Sequence, residues 1–182
     1  MENGNPLQKT FAEIVAQSGI AAASYGYSRR GVTLRKLVDG NAAIINFQRN
    51  GNAAIINFQR SRWNSSESIA FTVNLSVVCG LLLDPDRVSV KTAKEYEGHL
   101  RKRIGWFMPD RRDKWWEISC ATKAVVISAD IANLIVQTAV PYLERHVRTE
   151  DLVDLWKSGE SPGISEHLRV KYLATLAAAG HS

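Results

Sequence analysis

The chain is poor in the residues that build stapled domains or metal centres: two cysteines, four histidines and five prolines in 182 residues. Cys79 and Cys120 stand far apart with no C-x-x-C spacing, which excludes a disulfide framework and a dithiol redox motif. Lone thiols of this kind read as core residues of a reduced protein. His99, His146, His167 and His181 are scattered with no H-x-x-x-H pair, so neither a metal nor any other cofactor is implied. G-x-S-x-G, Walker and G-x-G-x-x-G motifs are missing as well. No run of 18 consecutive apolar residues occurs, nor an N-terminal basic-then-apolar leader, and a cytoplasmic location is expected.

What remains is ordinary globular material, 45% hydrophobic and 23% charged, sized for a single domain over 1–182. One feature is unusual. The decapeptide GNAAIINFQR occupies 40–49 and recurs unchanged at 51–60, a spacing of 11. Perfect identity marks the duplicate as recent, engineered or generated, and two short copies do not make a solenoid. An odd shift would reverse the strand faces if both copies lay in one strand. The junction Asn50-Gly51 is a type I′ hairpin signal, so the second copy is expected to fold back as an added hairpin or edge strand. The alternative is a looped-out copy. An exposed Ala-Ala-Ile-Ile-Asn-Phe edge also offers a route to edge-strand dimers.

The net charge of +5 is unevenly spread. Residues 29–63 carry seven basic and one acidic side chain, residues 87–114 nine and four, and residues 130–166 three and seven. A basic middle beside an acidic tail attracts anionic partners. The plainer reading is solvated strands facing a compensating helix layer.

Asn5-Pro6 starts a helix over 6–25, with Leu7, Phe11, Ile14, Val15 and Ala22 at helical spacing and Gly19 as a weak point. Gly26 and the SRRG of 28–31 end it. The period then changes to two. A meander over 32–79 contains the strand 32–38, the turn Asp39-Gly40, the duplicated segment 40–60 and the strand 70–79. In 70–79, Phe71, Val73, Leu75, Val77 and Cys79 alternate with Thr72, Asn74, Ser76 and Val78, the pattern of a half-buried antiparallel strand. Residues 84–98 connect to a second hairpin, 99–119, whose arms 99–108 and 114–119 flank Pro109-Asp110. Helices occupy 128–180, with Ser128 and Thr149 as caps, a break at Pro141, a stop at Gly159 and a last helix over 165–179. The expected fold is α+β: an antiparallel meander with helices packed on one face.

Chemistry concentrates in HLRKRIGWFMPDRRDKWW. Arg101 and Arg103 share one strand face, and Arg111, Arg112 and Lys114 cluster at the turn before Trp115 and Trp116. Arg60, Arg62 and Trp63 lie on another strand, and Arg35 belongs to a polar sheet face with Asn46 or Asn57, Gln48 or Gln59, Thr72, Asn74 and Ser76. Arginine forks grip anions and tryptophan offers a stacking face. Against this stands the reading of Trp106 and Trp116 as core residues and of the arginines as paired with Asp110, Asp113 or the acidic tail. Adjacent Trp115 and Trp116 face opposite ways in a strand, so at most one is exposed.

The blocks GYSRRGVTLRKLV, IINFQRSRWNS, AFTVNLSVV, LRKRIGWFMPDRRDKWWEI and VPYLERH resemble the domain-of-unknown-function family DUF4304 over about 10–148. The resemblance implies a small bacterial α+β protein and brings no activity or catalytic residue with it; the chain departs from the family pattern at the second GNAAIINFQR.

Three functions follow as expectations. The leading one is a non-enzymatic, immunity- or antitoxin-like interaction protein. It would bind an acidic protein partner through Arg35, Arg60, Arg62, Trp63, Arg101, Arg103, Arg111, Arg112 and Trp115. The second is nucleic-acid binding through Arg60, Arg62, Arg101, Arg103, Arg111, Arg112 and an exposed tryptophan. The third is a hydrolase built on Glu95, Glu97 and His99.

Overall fold

The computed structural model describes residues 5–49 and 68–181. Helix α1 (Pro6–Ala23) begins where the Asn5 side chain accepts the Leu7 N–H at 2.9 Å, with Pro6 in the first turn. Its inward stripe is Leu7, Phe11, Ile14, Val15 and Ala22. Gly19 does not break the helix: it is buried where α1 passes close to the Arg29 side chain.

The sheet has six strands: β1 (Ser28–Arg30), β2 (Thr33–Val38), β3 (Asn41–Arg49), β4 (Ser68–Val78), β5 (Leu100–Arg103) and β6 (Trp116–Ser119). All pairings are antiparallel, in the order β1-β2-β3-β4-β5, with β6 also on β4. The Asp39-Gly40 turn forms as expected, both residues at positive φ. The SRRG segment is not merely a helix stop. It builds β1, which turns through Gly31 at φ 60° into β2.

The expected second hairpin, 99–119, does not form. Strand β5 pairs with Asn74–Val77 and β6 with Ser68–Phe71, both on the same side of β4. The two arms are therefore one interrupted edge strand, with 104–115 looped out between them. The long β4 offers enough edge for both, and the Thr72 hydroxyl fills the gap by donating to the Lys114 carbonyl at 2.7 Å.

Ala43, Ile45, Phe47, Phe71, Val73, Leu75 and Val77 face the helices and form the main core with α1. Helix α2 (Ala124–Leu134) runs through a π turn at Ile135–Ala139 into α3 (Val140–His146). The wide turn lies just before Pro141, whose missing N–H cannot continue a regular ladder. Ser128 is buried inside α2 rather than capping it, because the helix starts at Ala124. Ala124–His146 is long and apolar enough, by length and composition, to cross a membrane. Its polar interruptions conceal this from a search for unbroken apolar runs. Here Ile131, Ile135, Ala139 and Leu143 are buried in the core.

Helix α4 (Thr149–Lys157) is not capped by Thr149, which is its first residue and is buried. The Thr149 hydroxyl and the Val147 carbonyl instead accept from the Asn41 amide at 3.1 and 2.8 Å, while the Asn41 oxygen accepts the Gly80 N–H at 3.0 Å. One side chain of the first decapeptide copy thus ties the β2–β3 turn to the α3–α4 junction. Gly159, at φ 92°, ends α4, and Ser165 caps α5 (Glu166–Ala178). The fold class is α+β. The second copy, 51–60, and the junction Asn50-Gly51 lie outside the described residues.

Candidate functional site

The face of the sheet opposite the helices is laid out in rows by the strand register. Arg30, Thr33, Asn46, Asn74 and Arg103 form one row, and Ser28, Arg35, Ile44, Ser76 and Arg101 the next. A third row, Leu37, Ala42 and Val78, is apolar. Strand spacing puts the ends of the first row about 19 Å apart. Arginines stand at both margins and amides lie between them.

This face is not the open surface expected from its alternation. Thr72, Asn74 and Ser76 are all buried. The chain after β4 folds back as a roof, seating Ala93 against Ala42, Ile44 and Val78, with Leu83, Val88 and Val90 packed around them. Arg35 holds the roof in place: its guanidinium donates to the carbonyls of Lys91 and Ala93. Burial, then the neighbouring Arg30 charge, lowers its pKa. Glu95 of the roof pairs with Arg101 across 3.1 Å.

The roof covers only part of the face. Between it and β1–β3 lies a cleft of about 1200 Å³, lined by Arg30, Arg35, Asn46, Gln48, Lys94 and Arg101 among others. Its basic side chains face one carboxylate, that of Glu95. The amide floor is ordered by hydrogen bonds, Asn74 to Gln48 at 2.6 Å and Asn46 to Thr33 at 3.0 Å. These bonds leave the Gln48 NH₂ and the Asn46 oxygen unused, and both residues line the cleft.

A second, smaller cavity of about 360 Å³ opens where 104–115 leaves the sheet. Gly105 makes that excursion possible, since a Cβ there would run into the Arg112 carbonyl and the Lys114 amide. The Arg111 N–H closes a turn onto the Met108 carbonyl at 2.9 Å, as the Pro109-Asp110 pair predicts, and leaves Arg111 at φ 49°.

The family scan matches residues 46–145 to a domain of unknown function (DUF4304). The chain belongs to this family. No curated protein and no solved structure matches it. The DUF4304 segment carries most of β4's surroundings, the roof, β5 and the 104–115 excursion, whereas Arg30 and Arg35 of the cleft margin precede it.

Of the residues named from sequence, Arg35 and Arg101 line the large cleft, and Arg101, Arg103, Arg111 and Arg112 line the small one. Arg101 belongs to both. Arg60, Arg62 and Trp63 lie outside the described residues. Trp115 is half-buried, and its indole N–H donates to Asp113 at 3.1 Å. Asp113 also pairs with Arg103, whose guanidinium sits 5.6 Å from the Trp115 ring. Trp116 is buried against Phe71, but Trp106, expected in the core, is 48% exposed because β5 ends at Arg103 and a short turn carries it outward. Sequence reading missed Trp106, and also Arg30, Lys94 and the roof that assembles the cleft. The only early signal for Arg30 was its place in the basic 29–63 stretch.

Glu95, Glu97 and His99 do not converge. Glu95 is held by Arg101, and Glu97 accepts the Lys94 N–H at 2.6 Å. The buried His99 accepts the Cys79 N–H on Nδ1 at 3.0 Å.

Proposed function

We propose that the protein is a non-enzymatic binder of an acidic protein partner, which it holds as an extended segment in the cleft beneath the roof. The observation that carries the reading is the cleft lining, with Arg30 and Arg101 at its margins on β1 and β5 and the Asn46 and Gln48 amides between. Amides recognise peptide N–H and C=O groups, while arginine forks take carboxylates. About six extended residues span the distance between the margins. Binding of single-stranded nucleic acid gains from bare aromatic faces on which bases stack. Among the described tryptophans, Trp106 already carries Lys102 at 3.7 Å and Arg111 at 5.8 Å, Trp115 is engaged by Arg103, and Trp116 and Trp156 are buried. A bacterial, cytoplasmic setting and an immunity- or antitoxin-like role belong to the same proposal.

The test is fluorescence anisotropy with a labelled glutamate-rich peptide and a single-stranded oligonucleotide of equal charge. The peptide is expected to bind more tightly than the oligonucleotide, with affinity falling as sodium chloride rises from 50 to about 500 mM. The Arg30 side chain is exposed and makes no hydrogen bond or ion pair among the described residues, so Arg30→Glu should weaken the peptide at least tenfold while leaving Tm nearly unchanged. Peptide binding that is absent at low salt, or indifferent to Arg30→Glu, would overturn the reading; a preference for the oligonucleotide would replace it with nucleic-acid binding.

A further inference from the structure

The smaller cavity is a separate site with its own chemistry. Around about 360 Å³ stand five cations, Arg101, Lys102, Arg103, Arg111 and Arg112, against the single carboxylate of Asp113. Two of the five are committed elsewhere, Arg101 to Glu95 and Arg103 to Asp113. Lys102, Arg111 and Arg112 have no ion-pair partner among the described residues.

Their arrangement is held rather than diffuse. Lys102 and Arg111 are brought over the same Trp106 ring from 3.7 and 5.8 Å, although like charges so placed repel. The left-handed backbone at Arg111, unusual for a side chain other than glycine, turns the residue back toward that ring. Gly105 and Gly163 allow the walls to close. A Cβ at Gly163 would collide with the backbone and Cβ of Arg101, and Arg101 is anchored there by its N–H to the Pro162 carbonyl at 2.9 Å. Glu160 acts on Lys102 from outside the cavity lining and offsets part of the repulsion from Arg111; the cations gathered in the lining itself suit a compact anion of high charge.

We infer that the cavity between β5 and the 104–115 excursion binds a phosphoryl anion carrying two or more negative charges, with a diphosphate group filling it best. Converging guanidinium forks suit tetrahedral phosphate oxygens, which accept from several directions at once. A single carboxylate satisfies one fork and leaves the remaining cations facing one another. The site adjoins the cleft at Arg101 but is read from Lys102, Arg111 and Arg112, which the cleft does not use.

Isothermal titration calorimetry at low salt tests this with inorganic phosphate, pyrophosphate, a nucleoside diphosphate and the glutamate-rich peptide. Pyrophosphate should bind at least tenfold more tightly than phosphate and raise Tm. Arg111→Gln, Arg112→Gln and Lys102→Met should each lower its affinity at least tenfold, and Arg87→Gln should not. The three variants should keep their peptide affinity, which separates this site from the cleft. A nucleoside diphosphate tighter than pyrophosphate would identify a nucleotide as the source, and equal affinities the free anion. Absence of both heat and Tm shift at millimolar pyrophosphate would overturn the inference. So would an affinity that all three substitutions leave unchanged.

Discussion

Lowering the pH from 7.5 to 4.5 should cost the protein about 2–3 kcal/mol of stability through His99 alone. This side chain is buried between Cys79, whose N–H it accepts, and the edge of Tyr172 at 5.0 Å between ring centroids. Burial holds its pKa down at about 4, against 6.5 for a free imidazole. The unfolded chain therefore takes up a proton near pH 6.5 that the native state refuses until about pH 4. The stabilisation is complete above the higher value and is lost as pH falls toward the lower one. Protonation also turns Nδ1 from acceptor to donor, opposite an N–H that can only donate. Urea unfolding at the two pH values checks this, with His99→Gln as the reference because glutamine keeps an acceptor and does not titrate. Carboxylates and His146 contribute in both proteins, so the difference isolates His99. Equal pH dependence in the two would contradict the assignment.

Phe71→Ala should be the most destabilising of single core truncations, by about 3–5 kcal/mol. Phe71 sits where α1, β3 and β6 meet, edge-on to Phe11 at 5.1 Å, 6.4 Å from Phe47 and stacked on Trp116 at 5.7 Å. Its side chain has no exposure, and aromatic rings around a new cavity collapse poorly. Val126→Ala, on the exposed side of α2, should stay within about 0.5 kcal/mol. A loss below about 1 kcal/mol for Phe71→Ala, measured by denaturant midpoint, would contradict the described core.

Much of this architecture is written locally. Asn5-Pro6 and Ser165 announce their helices because caps act within three residues. Asp39-Gly40 fixes a turn by backbone sterics, and the alternation from Phe71 to Cys79 fixes a strand. The failures are non-local. Thr72, Asn74 and Ser76 read as solvated because a buried polar row and an exposed one have the same period; only the roof distinguishes them. β1 leaves no mark in the sequence pattern because its three exposed residues carry no apolar signal. The interrupted edge strand reads as a hairpin in the sequence because two strand-like runs around Pro109-Asp110 look alike whether they pair with each other or with β4. The site followed suit. Arg101 and Arg103 were legible as one face, but Trp106 was not, since its exposure depends on where β5 stops.

The proposed mode of binding lays an acidic segment across the amide floor between the two arginine margins. Hydrogen exchange with and without the glutamate-rich peptide tests it most directly. Protection is predicted in 28–35 and 91–101, the margins and the roof, with the outer faces of α2 and α5 unchanged. Protection confined to the helices, with none at β1 or the roof, would contradict the account.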